Sequence, residues 1–218
     1  MFKHFEINEV GCDFVVGDIH GCFDQLREAL LSVDFYYDTD RLFCVGDLVD
    51  RGDQSEECLD WLDKPWFHTI RGNHEQMAID YLAGANPADL YLYNGGSWFI
   101  GLPYSEQRQI VDAFESLPIA MDIKTKAGLI GIVHAECPVA DWLELEPALN
   151  GDRAALYVND CMWDRTRYNQ SITDIIENVS QIYVGHTPAR DTKVLGNVNY
   201  IDTGAVFLGG YLTIVRID

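Results

Sequence analysis

The chain has 218 residues, 48% of them hydrophobic, and its 35 acidic and 15 basic residues give a formal net charge of -20. So acidic a surface repels phosphate groups, which argues against a nucleic acid or an anionic membrane as partner. No linker-like segment interrupts the sequence, and we therefore expect a single domain spanning residues 1–218.

The cysteines and the amino terminus predict an intracellular environment. Six cysteines are present without a C-x-x-C pair, and a chain of this size does not need disulfides to fold, so we expect reduced thiols. The first residues lack the charged stretch and apolar run of a signal peptide, and no segment approaches the ~20 apolar residues of a membrane span. The expected location is the cytoplasm.

The first third of the chain alternates strand and helix patterns. Residues 14–16 form a short apolar run, and apolar residues recur at helical spacing over 26–33. Residues 42–45 predict the next strand, 56–62 a second helix and 67–70 a third strand. This βαβαβ order is typical of parallel strands covered by helices.

The rest of the chain mixes helices with further strands. We predict helices over 75–82 and 105–117, a hairpin of 119–124 with 129–133, a helical stretch over 152–179, and strands over 182–184, 198–201 and 211–215. The predicted fold class is therefore α/β, with two mixed β-sheets packed face to face and helices on the outside.

Polar residues gather where predicted strands end. Three such segments are Gly17-Asp18-Ile19-His20-Gly21, Gly46-Asp47-Leu48-Val49-Asp50-Arg51-Gly52 and Arg71-Gly72-Asn73-His74-Glu75, and their glycines allow tight turns and close backbone approach. His134 and His186 each end a further apolar run. Because ligands bind at the carboxyl ends of strands in open α/β folds, five strand ends are expected to supply one site.

The residue types at these strand ends are suited to a catalytic metal centre. They offer imidazole, carboxylate and amide groups without a thiolate, which favours manganese, iron or zinc in catalysis over a structural zinc site. Asp47 lies between two sets of candidate ligands and can bridge two ions. Two metals about 3.5–4 Å apart can stabilise the attacking and leaving oxygens of an in-line displacement.

The order and spacing of these motifs resemble the phosphoprotein phosphatase family, and the short intervals look most like its bacteriophage lambda and bacterial subgroup. The resemblance extends from about Asp13 to the end of the chain. It implies the metallophosphoesterase sandwich of two mixed sheets flanked by helices. It also implies two divalent ions, with manganese the expected metal, and a metal-activated water as nucleophile. By this resemblance Asp18, His20 and Asp47 hold one ion, and Asp47, Asn73, His134 and His186 hold the other.

The same resemblance assigns catalytic roles. His74, next to the ligand Asn73, is the expected general acid, and Asp50 can accept its other ring proton, which favours the cationic imidazole. Arg51 can hold two phosphate oxygens with its planar fork. A second phosphate-binding arginine is expected, for which Arg165 is the better match and Arg167 the competitor. The start of the helix at Asn73 and His74 is expected to favour an anion.

The remaining residues of interest are not assigned to the metal centre or to the phosphate. His4 and His68 lie outside the motifs and are predicted to be structural, and Cys22 is predicted to pack rather than react. The aromatic run 90–99 predicts core and turn, with a substrate-contacting rim as the alternative. Glu136 and Asp141 are expected in a solvated loop, with a place in the cleft as the alternative.

Three function classes fit the motifs. A metal-dependent protein phosphatase acting on phosphoserine and phosphothreonine of phosphoproteins or phosphopeptides, with phosphotyrosine as a further option, is the predicted function. A dinucleoside polyphosphate hydrolase shares the metal motifs, but Asp50 in Asp-Arg-Gly and Glu75 after Asn73-His74 favour the phosphatase, and the chain looks short for added nucleotide-binding structure. A non-catalytic module of the same fold would lack ligands or the acid, and here all are present.

Overall fold

The computed structural model describes residues 1–218. Its ten strands are β1 Phe2–Phe5, β2 Asp13–Val16, β3 Arg41–Cys44, β4 Phe67–Thr69, β5 Ala120–Thr125, β6 Gly128–Val133, β7 Gln181–Val184, β8 Lys193–Leu195, β9 Val198–Tyr200 and β10 Ile214–Arg216. Its nine α-helices are α1 Phe23–Ser32, α2 Cys58–Leu62, α3 Asn73–Leu82, α4 Ala88–Tyr93, α5 Ser97–Ile100, α6 Tyr104–Ser116, α7 Leu145–Asn150, α8 Ala154–Trp163 and α9 Thr166–Gln170. None of these helices is long and apolar enough to span a membrane.

The strands form two mixed sheets, which confirms the predicted α/β sandwich. One sheet has the order β10-β2-β3-β4 and the other has the order β1-β5-β6-β7-β9-β8. In the first sheet β2, β3 and β4 are parallel neighbours, as the βαβαβ pattern predicts, and β10 joins antiparallel to β2. The predicted hairpin is the antiparallel pair β5–β6.

Strand β2 shows how the core forms. Phe14 and Val16 pack in a cluster of 22 buried apolar residues that lies on the helix side of the first sheet. Val15 points the other way, into a cluster of 11 that also contains Met121 and Ile132 from the second sheet. Successive residues of a strand face opposite sides, so a strand buried on both faces reads as an unbroken apolar run.

One predicted helix is wrong over much of its length. The stretch 152–179 contains α8 and α9, but helix ends at Gln170 because Ser171 adopts the left-handed backbone conformation with φ of 52°. Beyond it, Glu177 forms a β-bridge with Asp141. The strand predicted over 211–215 is also displaced, and its backbone pairs with β2 only over Ile214–Arg216.

Candidate metal centre and active site

Five strands bring the predicted ligands to one place. Asp18, Asp47 and Asn73 follow the carboxyl ends of β2, β3 and β4, while His134 and His186 follow β6 and β7 of the other sheet. All six predicted ligands, including His20, are buried. Two triads have ligand atoms within 4.8 Å of one another, namely His20, Asp47 and His74, and Asp47, His134 and His186. Asp47 belongs to both triads, as expected for a bridging carboxylate.

The environment of Asn73 fits a bound cation. The Nε2 atom of His134 lies 2.8 Å from Asn73 Oδ1 and 3.3 Å from Asp47 Oδ2, and His186 Nδ1 also lies 2.8 Å from Asn73 Oδ1. Because His134 Nδ1 is 2.8 Å from the carbonyl of Val45, it carries a proton that it donates there. His134 Nε2 therefore faces two oxygen atoms, a contact that requires a positive charge between them, either a proton on Nε2 or a bound cation.

The charges of the neighbouring groups support the same conclusion. Burial opposes the charged form of His134, but the carboxylates of Asp47 and Asp18 raise its pKa to about 10. Burial would raise the pKa of Asp47, but the surrounding imidazoles, His134 first, hold it well below its ordinary value. The site therefore stabilises positive charge at its centre. Burial lowers the pKa values of His20 and His186 to about 3, so both are neutral, the form that binds metals.

Asp18 is outside both triads but has an unused ligand atom. Its Oδ2 accepts a hydrogen bond of 2.9 Å from the backbone N–H of His186, whereas its buried Oδ1 has no hydrogen-bond partner. Buried carboxylate oxygens are rarely left without a partner, so this oxygen is free for a cation. A Cβ on Gly185 would lie 1.8 Å from it, which explains why glycine stands there. Burial and the nearby Asp202 raise the pKa of Asp18 well above its usual value.

Arg51 lies beside the first ligand set. His20 Nδ1 donates to the carbonyl of Val49 at 2.9 Å, which leaves Nε2 as an acceptor for Arg51 Nη1 at 2.6 Å. The guanidinium also lies over the ring of Phe207, 5.7 Å from its centroid. A cationic fork is thus held next to the candidate ligands, where it can bind a phosphate oxygen.

His74 and Asp50 form a buried pair. His74 Nδ1 lies 2.7 Å from Asp50 Oδ2, and His74 Nε2 faces Asp47 Oδ2 at 3.9 Å. Burial raises the pKa of Asp50 to about 7, against the hydrogen bonds from Trp98 and Tyr91, and lowers the pKa of His74 to about 4. The expected hydrogen bond is present, and in the protein alone burial opposes the cationic imidazole that the pairing with Asp50 favours.

Glu75 braces the loop that carries Asp47. Its carboxylate accepts hydrogen bonds from three backbone N–H groups, those of Asp47, Leu48 and Gly72, at 3.0, 2.8 and 2.8 Å. The N–H of His74, in the first turn of α3, donates to Asp47 Oδ1 at 2.9 Å. The anions at this helix start are therefore protein carboxylates, and the expectation of free N–H groups for a bound phosphate is wrong at His74.

The two candidate arginines differ in their surroundings. Arg165 donates to the carbonyl of His186 at 3.2 Å, which places it beside the second ligand set. Arg167 pairs with the buried carboxylate of Glu136 at 3.1 Å and donates to the carbonyl of Asp174 at 2.8 Å. Arg167 and Glu136 thus neutralise each other, whereas Arg165 has no carboxylate partner.

The other residues considered from the sequence are outside both ligand triads. His68 packs against the rings of Phe5 and Phe43, and His4 contacts Asp122, so both lie away from the ligands. The Asp141 side chain caps a short helix by accepting from the N–H of Leu143. Neither Glu136 nor Asp141 is in a ligand triad.

Three functional neighbours were missed from sequence. Tyr91 and Trp98, in the aromatic run, donate to Asp50 Oδ1, while Tyr93 of the same run is 89% exposed. No pattern in a single sequence signals such a long-range contact. Asp202 is buried near Asp18 just after β9, and the strand-end pattern that singled out Asp18 and Asp47 could have found it.

Comparison with known proteins relates the chain to metal-motif phosphoesterases and protein phosphatases. The profile of the calcineurin-like phosphoesterase family matches residues 14–190. Serine/threonine-protein phosphatase 1 of Salmonella typhimurium is 37% identical over 94% of this chain and 91% of its own length. A solved cold-active protein tyrosine phosphatase has 20% identity and a TM-score of 0.66 over 98% of this chain and 75% of its own, which supports the fold.

One relative corrects an argument from length. An asymmetrical bis(5'-nucleosyl)-tetraphosphatase of Geobacillus thermodenitrificans is 29% identical over 93% of this chain and 89% of its own length. A tetraphosphatase can therefore be nearly as short as this chain. The length of the chain therefore does not count against a dinucleoside polyphosphate hydrolase.

Proposed function

This chain belongs to the calcineurin-like phosphoesterase family, and we propose that it is a metal-dependent protein phosphatase. Its substrates are phosphoserine and phosphothreonine in phosphoproteins or phosphopeptides, with phosphotyrosine as a second class. The identity of 37% to a serine/threonine-protein phosphatase over nearly the whole chain supports this assignment. We also propose that it binds neither nucleic acid nor membranes, because its net charge of -20 repels their phosphate groups.

Two divalent ions, with manganese as the metal we propose and iron or zinc as alternatives, would be held by the strand-end residues. Asp18, His20 and Asp47 form one ligand set, and Asp47, Asn73, His134 and His186 form the other. The unpartnered Oδ1 of Asp18 and the two histidine ring nitrogens that converge on Asn73 Oδ1 support these sets. When bound, such ions activate a water at neutral pH and neutralise phosphoryl charge.

The side chains around this centre perform the remaining steps. Arg51 and Arg165 bind the phosphate oxygens and hold the phosphoryl group in line. His74 donates a proton from Nε2 to the leaving oxygen of the serine or threonine side chain. Asp50 accepts from His74 Nδ1 and so keeps Nε2 directed at the site. A serine alkoxide is a poor leaving group, and this proton is what its departure requires.

The observation that carries the proposal is the Asp50–His74 pair next to Asp47. Both side chains are buried, with relative exposures of 0% and 1%, and their hydrogen bond is 2.7 Å. A metal site used only for binding has no need of a buried acid that holds a proton beside it. The non-catalytic module is therefore the weaker reading of this chain.

A dinucleoside polyphosphate hydrolase is the second candidate, and the tetraphosphatase relative at 29% identity favours keeping it. The phosphatase relative is more similar over the same share of the chain, which is why we place protein phosphatase first. The two reactions use the same ligands and differ in whether an ester or an anhydride is cleaved.

The experiment is a ranked comparison of rates. Purified protein with Mn²⁺ is assayed on phosphoserine and phosphotyrosine peptides, p-nitrophenyl phosphate and diadenosine tetraphosphate. We expect the phosphoserine peptide to have a higher kcat/KM than diadenosine tetraphosphate, and the reverse order would overturn the proposal. His74→Asn should retain its metal and lose roughly 10²–10⁴ in kcat on the phosphoserine peptide. His4→Asn, the same substitution at an exposed histidine remote from the ligands, should keep full turnover.

Domain organisation and location complete the proposal. We propose that residues 1–218 form one domain, because the cluster of 11 apolar residues contains side chains from both sheets. We also propose a cytoplasmic protein, which the six free cysteines and the lack of any disulfide support.

A further inference from the structure

Both oxygens of Asp50 are occupied by side-chain donors. Oδ2 receives His74 Nδ1, and Oδ1 accepts from Trp98 Nε1 at 2.6 Å and from Tyr91 OH at 3.2 Å. The backbone N–H of Asp50 donates to Ser55 Oγ at 2.9 Å. Asp50 is thus fixed from four directions, and two of the four groups come from α4 and α5, more than 40 residues away in the sequence.

The loop between α4 and α5 also supports the backbone at this point. Asp50 and Arg51 have φ values of 71° and 70°, a conformation that residues with a side chain rarely adopt. Gly95, itself at φ of 99°, approaches so closely that a Cβ there would lie 2.4 Å from the backbone nitrogen of Arg51. The segment Tyr91–Trp98 therefore packs on the backbone of Asp50 and Arg51 as well as on the Asp50 carboxylate.

A carboxylate bound through one oxygen can rotate about its Cβ–Cγ bond. Two donors on Oδ1 fix the plane of the Asp50 carboxylate, and Oδ2 is then directed at His74 Nδ1. This holds one ring proton of His74 on Nδ1, so that the proton given to the leaving group is the one on Nε2, the ring nitrogen that faces Asp47. General acids must be held within about 0.5 Å and 10–20° of the productive geometry, so loss of one donor is enough to disturb the pair.

We propose that Trp98, assisted by Tyr91, is a positioning residue that orients Asp50 and, through it, the general acid His74. The inference rests on the proposed phosphoesterase function and adds to it a source of orientation outside the three metal-binding motifs. Trp98 provides the larger part because its hydrogen bond is shorter and a tryptophan N–H can only donate.

Trp98→Phe removes the donor and keeps an aromatic ring. Trp66→Phe is the matched control, since Trp66 is also partly buried but packs among Phe35, Tyr37 and Trp61, remote from Asp50. Phenyl phosphate has a more basic leaving group than p-nitrophenyl phosphate and depends more on the acid. We expect Trp98→Phe to lower kcat on phenyl phosphate by about 10-fold and on p-nitrophenyl phosphate by less than about 2-fold, with unchanged Mn²⁺ content.

A double-substitution cycle with His74→Asn tests whether Trp98 acts through His74. In the His74→Asn background, Trp98→Phe should have no further effect on phenyl phosphate. Equal losses on the two aryl phosphates, or a full additional loss in that background, would overturn the inference. Tyr91→Phe should show the same leaving-group pattern with a smaller loss, and it serves as the second variant if Trp98→Phe does not fold.

Nitrogen-15 chemical shifts of the His74 ring give a readout independent of turnover. In the wild-type chain the Nδ1 shift should be that of a protonated nitrogen, and in Trp98→Phe it should move toward the value of an unprotonated nitrogen; an unchanged ring spectrum would contradict the inference. If the proposed function is wrong, a different result is expected: the wild-type protein will not turn over the phosphoserine peptide. The aryl phosphates and the ring spectrum report on His74 whichever natural substrate is correct.

Discussion

Replacing Gly185 by alanine tests the assignment of Asp18 as a ligand. The new Cβ would lie 1.8 Å from Asp18 Oδ1 and 2.7 Å from Val45 Cγ2. Gly185 does not have a positive φ, so alanine is compatible with its backbone and the effect is steric. Asp18 Oδ1 must therefore move away from the position in which it faces the centre.

The size of the effect follows from this distance. Contacts to a Cβ shorter than 3.0 Å are essentially not found, so Asp18 Oδ1 must move by about 1 Å or more. A displacement of that order in a catalytic group costs about 10²-fold in rate. Disturbing the support of a ligand lowers metal affinity by roughly 10- to 100-fold. We expect Gly185→Ala to show both losses.

The assay is calorimetric titration of the metal-free protein with Mn²⁺, together with kcat/KM on p-nitrophenyl phosphate. Gly101→Ala is the control, since its Cβ would meet nothing closer than 3.5 Å. Asp18→Asn removes the charge without adding volume and should also lower Mn²⁺ affinity. Wild-type affinity and turnover in Gly185→Ala would refute the assignment of Asp18, and melting temperatures of all variants check that they fold.

Further expectations concern the bridge, the arginines and pH. Asp47→Asn should deplete both ions, so elemental analysis that finds two Mn²⁺ per chain at ordinary affinity would show the bridge to be misplaced. Arg165→Ala should lower kcat/KM by about 10²-fold without altering stability. Arg167→Ala should instead destabilise the fold by about 3 kcal/mol, because it leaves Glu136 buried and unpaired, and should keep its kcat. Urea unfolding measures the loss of stability and steady-state kinetics measures the loss of turnover. If Arg165→Ala lost stability and Arg167→Ala lost turnover, the assignment of the two arginines would be reversed. Burial lowers the pKa of His68 to about 4. Between about pH 4 and pH 6.5 the unfolded chain therefore binds more protons than the folded chain. The contribution of neutral His68 to the free energy of unfolding is then fully present above pH 6.5 and is lost as the pH falls toward 4. His68→Phe should therefore reduce the loss of unfolding free energy between pH 7.5 and pH 4 by about 2–3 kcal/mol, and equal losses in the two chains would contradict this.

The sequence predicted the parallel strands and their polar ends because two signals coincide there. Strand β2 is buried on both faces and so reads as an apolar run, and Gly17 marks the turn that follows it. The same coincidence occurs before Asp47 and His186. Since the carboxyl ends of such strands meet at one edge, the positions of the polar residues in the sequence were enough to predict that they lie close together.

Elements with a weaker local signal were missed for physical reasons. Strand β1 is an edge strand with its two central residues exposed, so it lacks an apolar pattern. Helices α4 and α5 have six and four residues, too few for a helical period to be visible. The donors to Asp50 lie on these two helices, and their role depends on contacts between distant parts of the chain.

The left-handed backbone at the site has a consequence for any survey of mutational stability. Five residues of the site have φ between 46° and 71°, a conformation that glycine adopts freely and that strains other residues by about 1 kcal/mol each. They are His20, Asp47, Asp50, Arg51 and His186. At surface positions elsewhere, glycine usually weakens a protein. At these five positions, which lie in three loops, the backbone contribution has the opposite sign, so glycine there would relieve backbone strain while it removes a functional side chain.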